Sequence, residues 1–153
     1  ASDVYKRQAI DAMRGRVRGE VIVAASSTPG AYLVPELLRQ FQEQYPEVRP
    51  VLRVGDSAEV LQWLLDYQAP LGVIGEMNIA EGLKSVEIGS DFLRLVTAAG
   101  DSLCRVKQVK PEHLRGRTLL LREQGSSTRA GAQSLLGERL KEFERVVEVP
   151  SPE

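Results

Sequence analysis

Short runs of β-branched and apolar residues alternate along this chain with segments whose apolar residues recur at helical spacing. The runs predict strands, and the spaced segments predict helices. Regular alternation of this kind is typical of a mainly parallel sheet flanked by helices, so it predicts the α/β class. The predicted strands are 20–27, 49–55, 70–76, 92–100, the end of 111–123, and 145–149, and the predicted helices are 33–45, 56–68 and 126–144.

Prolines and acidic residues define the predicted helix ends. Pro35 is compatible only with the first turn of its helix, where the missing N–H costs nothing. Pro46 disfavours helical backbone at Tyr45, so that helix is expected to end there. Asp56 and Glu59 have the spacing of a capping box, with Asp in place of the usual Ser or Thr.

Composition and charge exclude several classes of protein. With 153 residues, 42% of them hydrophobic and 27% charged, the chain is long enough for one domain or two small lobes with a real core. A net charge of −1 gives no support for binding nucleic acid or an anionic membrane. Its single cysteine cannot form an internal disulfide, and no apolar run approaches the length of a membrane span. The expected location is the cytoplasm.

The chain divides into three predicted parts. Residues 1–18 resemble the end of a helix and are interpreted as a linker-helix remnant, or as a tail left by cloning or sequence assembly. Residues 19–91 are predicted to form the first part of one lobe, and residues 92–153 a second lobe.

Two hydroxyl-rich turns, each between a predicted strand and a predicted helix, are the candidate binding residues. Exposed N–H groups at helix starts and neighbouring hydroxyls can hold an anion such as a carboxylate, sulfate or phosphate, and an arginine can add a bidentate contact. Helix capping is the alternative explanation, because Ser and Thr are common N-caps whatever the function. The first turn comprises Ser26, Ser27 and Thr28, and the second comprises Gly125, Ser126, Ser127, Thr128 and Arg129.

Other chemistries find little support in the sequence. His113 is the only histidine and Cys104 the only cysteine, which rules out a usual structural zinc set. A Ser-His-Asp set could be built only around His113, which lies apart from both hydroxyl turns in the sequence, and Cys104 has no nearby histidine. We therefore expect no catalytic residue, no metal and no cofactor. Glu76 is either a hydrogen-bond acceptor for a ligand or a solvated loop residue, and Trp63 and Tyr67 are either partly core or an exposed aromatic patch for a partner subunit.

The order of these features resembles the effector-binding domain of LysR-type bacterial transcription regulators. The resemblance covers nearly the whole chain from Gly19. Its most specific block begins with "GEVIVAASSTPGAYLVPELLRQFQEQYP" and ends with "VGDS"; later blocks are "LGVIGE", "LRLVTAAGDSL" and "LLLREQGSSTR".

The resemblance implies a type 2 periplasmic-binding-protein-like fold, in which two α/β lobes with mainly parallel sheets enclose an effector cleft. It implies that a small, often anionic effector lies against the two hydroxyl turns and that Gly75 and Glu76 lie at the cleft edge. It also implies a homo-oligomer paired through lobe-to-lobe packing of helices and strands, with the outer faces of 33–45 and 126–143 as candidates.

The sequence departs from the family pattern in three respects. The winged helix-turn-helix through which the family binds DNA is missing, so DNA is expected as a partner only of a longer protein. The chain ends before the segment that completes the first lobe in the family, so an incomplete first lobe is expected. Pro70 replaces the usual Asp before the third strand, and "DSLC" replaces the usual His-Pro-Leu-Ala.

Together these features predict a domain that senses an effector and is not an enzyme. Binding of a small anionic metabolite between the lobes is expected to modulate transcription. The alternative is a solute-binding protein of a transport system with the same fold.

Overall fold

The computed structural model of the chain describes residues 17–75 and 77–150. They form two compact units, one ending at Lys84 and the other beginning at Ser85. The sequence suggested a division later in the chain, between 91 and 92. Across the two described ranges, no helix is long and apolar enough to cross a membrane.

The first unit is a three-stranded parallel sheet with helices between its strands. Its strand order is β2-β1-β3, so β1 is central. This confirms the predicted parallel α/β arrangement. The elements are β1 (Gly19–Ser26), α1 (Ser27–Tyr32), α2 (Val34–Gln44), β2 (Val48–Gly55), α3 (Ser57–Leu65) and β3 (Leu71–Val73).

Both faces of β1 are covered, as expected for the central strand of a parallel sheet. Val23 and Ala25 point to one face and pack with Val34 of α2. Ala24 points to the opposite face and packs with Val60 of α3. Side chains alternate between the faces of a strand, so one short run of residues supplies two separate apolar clusters.

The helices of this unit follow the sequence predictions with some changes. Pro35 lies in the first turn of α2, as predicted, but α1 is an additional short helix before it. Asp56 and Glu59 form the predicted capping box at the start of α3. This helix ends at Leu65 and not at residue 68.

The third strand is shorter than predicted. It pairs with β1 only over Leu71–Val73, against the expected 70–76. Pro70 lacks a backbone N–H and cannot donate to a neighbouring strand, which is consistent with a start at Leu71.

The second unit contains a two-stranded parallel sheet. The register places Thr118 opposite Arg145 and Arg122 opposite Val149. Leu119 and Leu121 are buried on β4, while Leu120 between them is 62% exposed. The elements are β4 (Thr118–Arg122), α4 (Ser127–Leu136) and β5 (Arg145–Val149), with 3-10 turns at Ser102–Arg105, Pro111–Leu114 and Gly137–Glu142.

The prediction of one continuous helix over 126–144 was wrong. The α-helix ends at Leu136, and Gly137 has a φ of 52°. That left-handed conformation suits glycine and commonly terminates an α-helix. The backbone then continues as a 3-10 turn to Glu142.

The predicted strand at 92–100 was also wrong. Residues 92–98 have no regular secondary structure, and 99–100 form a turn. Phe92 is 79% exposed and Val96 is 84% exposed. Apolar sequence alone does not make a strand, because the backbone needs a neighbouring strand for its hydrogen bonds, and this segment pairs with none of the described strands.

Asp101 stabilises the segment that leads into β4. It accepts a hydrogen bond from the N–H of Leu103 at 2.8 Å. It also accepts from Nη1 of Arg117 at 2.8 Å and 3.0 Å through its two oxygens. The Arg117 side chain, and next the Leu103 N–H, lower the pKa of Asp101 from 3.8 to about 2.

Substitution of Gly72 tests how closely α3 packs on the sheet. A Cβ at Gly72 would lie 2.9 Å from both Val60 Cγ1 and Leu64 Cδ1. Gly72→Ala should therefore lower the free energy of unfolding by about 1–3 kcal/mol, measured by urea denaturation. Gly89→Ala is the control, because within the described part of the chain no heavy atom other than those of Gly89 and its two chain neighbours lies within 4 Å of its added Cβ. Equal stabilities for the two variants would contradict this packing.

Asp101 should also make the free energy of unfolding depend on pH in the acidic range. Its folded-state pKa is lowered, so the charged carboxylate favours the folded state above the unfolded-state pKa near 3.8. That contribution is lost as the pH falls through about 2. Urea denaturation between these pH values should show a smaller pH dependence for Asp101→Asn than for the parent chain. Identical slopes would exclude this role. Some dependence should persist, because Arg39 lowers the pKa of Glu36 to about 2 as well.

Candidate functional site

The first hydroxyl turn lies where β1 meets α1. Ser26 is the last residue of the strand and is 5% exposed. Ser27 begins the helix and is half-buried, while Thr28 is exposed. The central strand of the sheet thus ends in a hydroxyl group that is almost fully buried.

The second hydroxyl turn lies between β4 and α4. Gly125 has a φ of 90°, a left-handed conformation that glycine adopts without strain. Ser126 follows it and is 7% exposed, Ser127 is half-buried at the start of α4, and Thr128 is exposed. Both turns therefore have the same sequence of burial: a buried Ser, a half-buried Ser and an exposed Thr.

Helix capping does not account for the two buried serines. Ser26 and Ser126 each occupy the N-cap position with extended backbone, yet neither side chain makes the capping hydrogen bond. Asp56, at the start of α3, does cap: its Oδ1 accepts from the Glu59 N–H at 2.8 Å. The side chain of Asp56 thus caps its helix conventionally, whereas the hydroxyls of Ser26 and Ser126 do not cap theirs.

A third strand end adjoins the first turn. The register of β1 and β2 places Ser26 opposite Gly55, so the Gly55–Ser57 turn lies beside the first hydroxyl turn. Ser57 is 1% exposed, and its hydroxyl has no hydrogen-bond partner among the described residues. From the sequence, this turn was recognised only as a capping signal. Its position after a strand predicted parallel to β1 was the available indication that it borders the candidate site.

Arg129 is already engaged in the structure. Its Nη1 donates to the carbonyl oxygen of Arg122 at 2.8 Å and to Oε2 of Glu148 at 2.6 Å. Its side chain is 13% exposed, and its Nε is buried with no partner. The sequence predicts Arg129 as a donor to a bound anion, and that role stays a prediction; in the structure its side chain contacts Arg122 and Glu148 of the second unit.

The charges near the second turn are paired. Arg122 makes an ion pair with Glu123 at 2.8 Å, and these hydrogen bonds are the main reason that the pKa of Glu123 is lowered. With the pair of Arg129 and Glu148, two cations face two anions. Any attraction for an anion at this turn therefore depends on the N–H groups and hydroxyls at the start of α4.

The predicted site residues are divided between the two compact units. Ser26, Ser27, Thr28 and Gly75 belong to the first compact unit, and the residues from Gly125 to Arg129 belong to the second. Gly75 is half-buried in a bend, and Glu76 lies outside the described residues.

The two aromatic residues of α3 and its C-terminal end behave differently. Trp63 packs against the Val60 cluster, and the Arg53 guanidinium carbon lies 3.7 Å from its ring centroid. Tyr67 is 95% exposed. Trp63 is therefore partly core, and Tyr67 is a surface residue.

Neither His113 nor Cys104 belongs to a reactive cluster. Nδ1 of His113 accepts from the N–H of Lys110 at 3.0 Å. Cys104 is an exposed free cysteine whose Sγ lies 3.4 Å from the carbonyl oxygen of Ala98. In the part of the chain that the structure describes, no group of three or more His, Cys, Asp or Glu side chains could hold a metal ion.

The family model of the LysR substrate binding domain matches residues 14–153. The chain belongs to this family. One relative, the HTH-type transcriptional regulator CbbR of Rhizobium meliloti (strain 1021), is 29% identical over 137 residues, which make up 90% of this chain and 44% of CbbR. The chain thus spans about half the length of the curated relatives it matches.

Solved structures show the same fold. The CcmR regulatory domain of Synechocystis PCC6803, in complex with 2-PG, has a TM-score of 0.70 at 22% identity, over 88% of this chain and 64% of that one. The effector-binding domain of QuiR, in complex with shikimate, has a TM-score of 0.61 at 18% identity, over 86% of this chain and 65% of that one. These matches confirm the type 2 periplasmic-binding-protein-like fold class. CbbR is described as a transcriptional regulator, and the CcmR structure as a regulatory domain.

The free energy of unfolding can test whether Ser26 and Ser126 cap their helices. Replacing a Ser or Asp that caps a helix usually costs about 1 kcal/mol. We expect Ser26→Ala and Ser126→Ala each to cost well below that, because neither hydroxyl caps its helix, and Asp56→Ala to cost about 1 kcal/mol. Urea denaturation measures all three. A loss for either serine variant as large as that for Asp56→Ala would show that its hydroxyl does cap.

Proposed function

We propose that this chain is the effector-sensing domain of a LysR-type transcription regulator and holds a small anionic metabolite at its two hydroxyl turns. The observation that carries the proposal is that Ser26 and Ser126 occupy N-cap positions without capping. A polar side chain at the N-cap position normally accepts a hydrogen bond from one of the first N–H groups of the helix. Because Ser26 and Ser126 do not, those N–H groups are left for another acceptor.

The proposed contacts divide by burial. The exposed Thr128 and half-buried Ser127 would donate to the anion from the second turn, and the half-buried Ser27 and exposed Thr28 would do so from the first. Ser26 and Ser126 are nearly inaccessible and would shape the turns from beneath. Gly75, Glu76 and Gly125 remain proposed parts of the same site. The position of the site between two lobes, which the family resemblance implies, remains a prediction.

The chemical class of the effector is inferred from the donors. Hydroxyl and backbone N–H groups suit carboxylate, sulfate and phosphate oxygens alike. Two family neighbours have been solved in complex with 2-PG and with shikimate, and these compounds define a reasonable test panel. Because the charged side chains beside the second turn are paired with each other, we expect recognition by oriented N–H and O–H groups more than by net charge.

The regulatory output would arise outside this chain. In the proposal, effector binding favours one arrangement of the domain, and that preference changes DNA contacts made by another part of the cytoplasmic regulator. Curated relatives are transcriptional regulators about twice as long as the matched region, which supports this division of roles. The family match favours a regulator over the alternative of a transport solute-binding protein.

A homo-oligomer remains part of the proposal. Leu33 is 42% exposed and Leu37 is 44% exposed in and beside α2, and Leu135 is 75% exposed on α4. These exposed leucines lie on the two helices whose outer faces the family resemblance suggests for packing against a second copy.

Anion binding can be tested by thermal unfolding of the full chain with sulfate, shikimate and 2-PG. A compound at 100 times its dissociation constant should add about 2.7 kcal/mol to the free energy of unfolding. Thr128→Ala and Ser27→Ala should each weaken binding roughly tenfold, because each removes a hydrogen bond to a charged group.

Ser134→Ala is the matched control, since Ser134 is exposed on α4 beyond its first turn. Unchanged affinity in both turn variants would refute the two-turn site. Failure of all three compounds to shift the unfolding transition would refute binding of these anion classes.

A further inference from the structure

Arg129 joins three elements of the second unit through one nitrogen. Its Nη1 donates to the carbonyl oxygen of Arg122, the last residue of β4, and to the carboxylate of Glu148 on β5. Arg129 itself lies in the first turn of α4. The side chain therefore connects the end of the strand before the second hydroxyl turn to the helix after it.

The second hydroxyl turn is held better on its helical side than on its strand side. The Ser126 carbonyl oxygen accepts from the Ala130 N–H at 3.0 Å, whereas the Ser126 N–H reaches the carbonyl oxygen of Glu123 only at 3.4 Å, near the upper limit for a hydrogen bond. Gly125 has a left-handed backbone, and glycine is the residue that restricts the unfolded backbone least. Such a turn depends on outside contacts to hold one conformation.

The contact between Arg129 and Glu148 is poorly explained by stability alone. The Arg129 side chain is 13% exposed, while that of Glu148 is 55% exposed. The guanidinium is thus largely desolvated, its Nε has no partner, and its carboxylate partner is screened by solvent. Desolvation of the guanidinium offsets much of its attraction to Glu148, so the net contribution of the pair to folding is small, although removing one partner alone is costly.

Direct contact of Arg129 with an effector fits these observations less well. Nη1 already has two acceptors, and Nε is inaccessible. A bidentate contact through Nη1 and Nη2 would require Nη1 to release Glu148 or the Arg122 carbonyl.

We propose that Arg129 is a positioning residue: anchored by Glu148 and the Arg122 carbonyl, it fixes the Gly125–Thr128 turn in its binding shape and does not touch the effector. The part of this inference that concerns affinity rests on the proposed function. The part that concerns the turn does not.

The first experiment needs no ligand. Amide hydrogen exchange is measured for residues 123–128 in the full chain and in Glu148→Gln, with Glu142→Gln as control. Glu142 also pairs with an arginine, Arg115, which precedes β4, whereas the second hydroxyl turn follows that strand. We expect exchange roughly tenfold faster in Glu148→Gln and unchanged in the control. Unchanged exchange in Glu148→Gln would overturn the proposal.

The second experiment measures the affinity for inorganic sulfate by calorimetry and asks whether Glu148→Gln raises or lowers it. Removing the Glu148 charge frees Arg129 and makes the region less negative. If Arg129 contacted the anion, Glu148→Gln would bind sulfate more tightly, and that result would overturn the proposal. If Arg129 positions the turn, Glu148→Gln should bind sulfate roughly tenfold more weakly, as should Arg129→Gln.

The two variants should also be coupled. Glu148→Gln combined with Arg129→Gln should weaken sulfate binding no more than either change alone, because both break the same contact. Additive losses would mean that the residues act separately and would count against the proposal. Absence of sulfate binding by the parent chain would contradict sulfate as an effector class, while the exchange result would still decide the role of Arg129.

Discussion

The first unit depends on the parallel pairing of β1 with β2 and β3. Ala24 and Ala25 are fully buried on opposite faces of β1, so helices pack against the strand from both sides. Parallel pairing also brings the carboxyl ends of neighbouring strands together, as the register of Ser26 with Gly55 shows. The packing that stabilises the sheet therefore also decides which polar turns are neighbours, and the proposed effector site follows from that arrangement.

The two units support their hydroxyl turns by different means. In the first, the turn follows the central strand of a sheet covered on both faces, with the capped start of α3 beside it. In the second, the sheet has only two strands, and a largely buried arginine links the turn to both of them. A smaller sheet supplies fewer packing contacts to a loop. The contacts of the Arg129 side chain therefore matter more for the turn of the second unit.

Two predicted elements were wrong because apolar character alone does not decide secondary structure. Residues 92–100 have the apolar character of a strand, but no described strand pairs with them. The apolar spacing of 126–144 suits a helix, but Gly137 adopts a left-handed backbone and ends it. These two errors arose because a strand needs a neighbouring strand and a helix needs backbone that stays helical, and apolar spacing records neither. The role of Arg129 as an anion donor stays a prediction; sequence spacing does not reveal that its side chain lies 2.6 Å from Glu148, nineteen residues later.

The sequence by itself determined the α/β class, the order of most elements, the capping box at Asp56 and the family of the chain. These features depend on local propensity, periodicity and ordered motifs, which residues carry wherever the chain goes. Only the tertiary structure decided that Ser26 and Ser126 do not cap their helices, that Ser57 is buried without a partner and that Arg129 is held by Glu148. Burial and hydrogen bonding depend on which distant segments meet, and that is settled when the sheets pair and the helices pack.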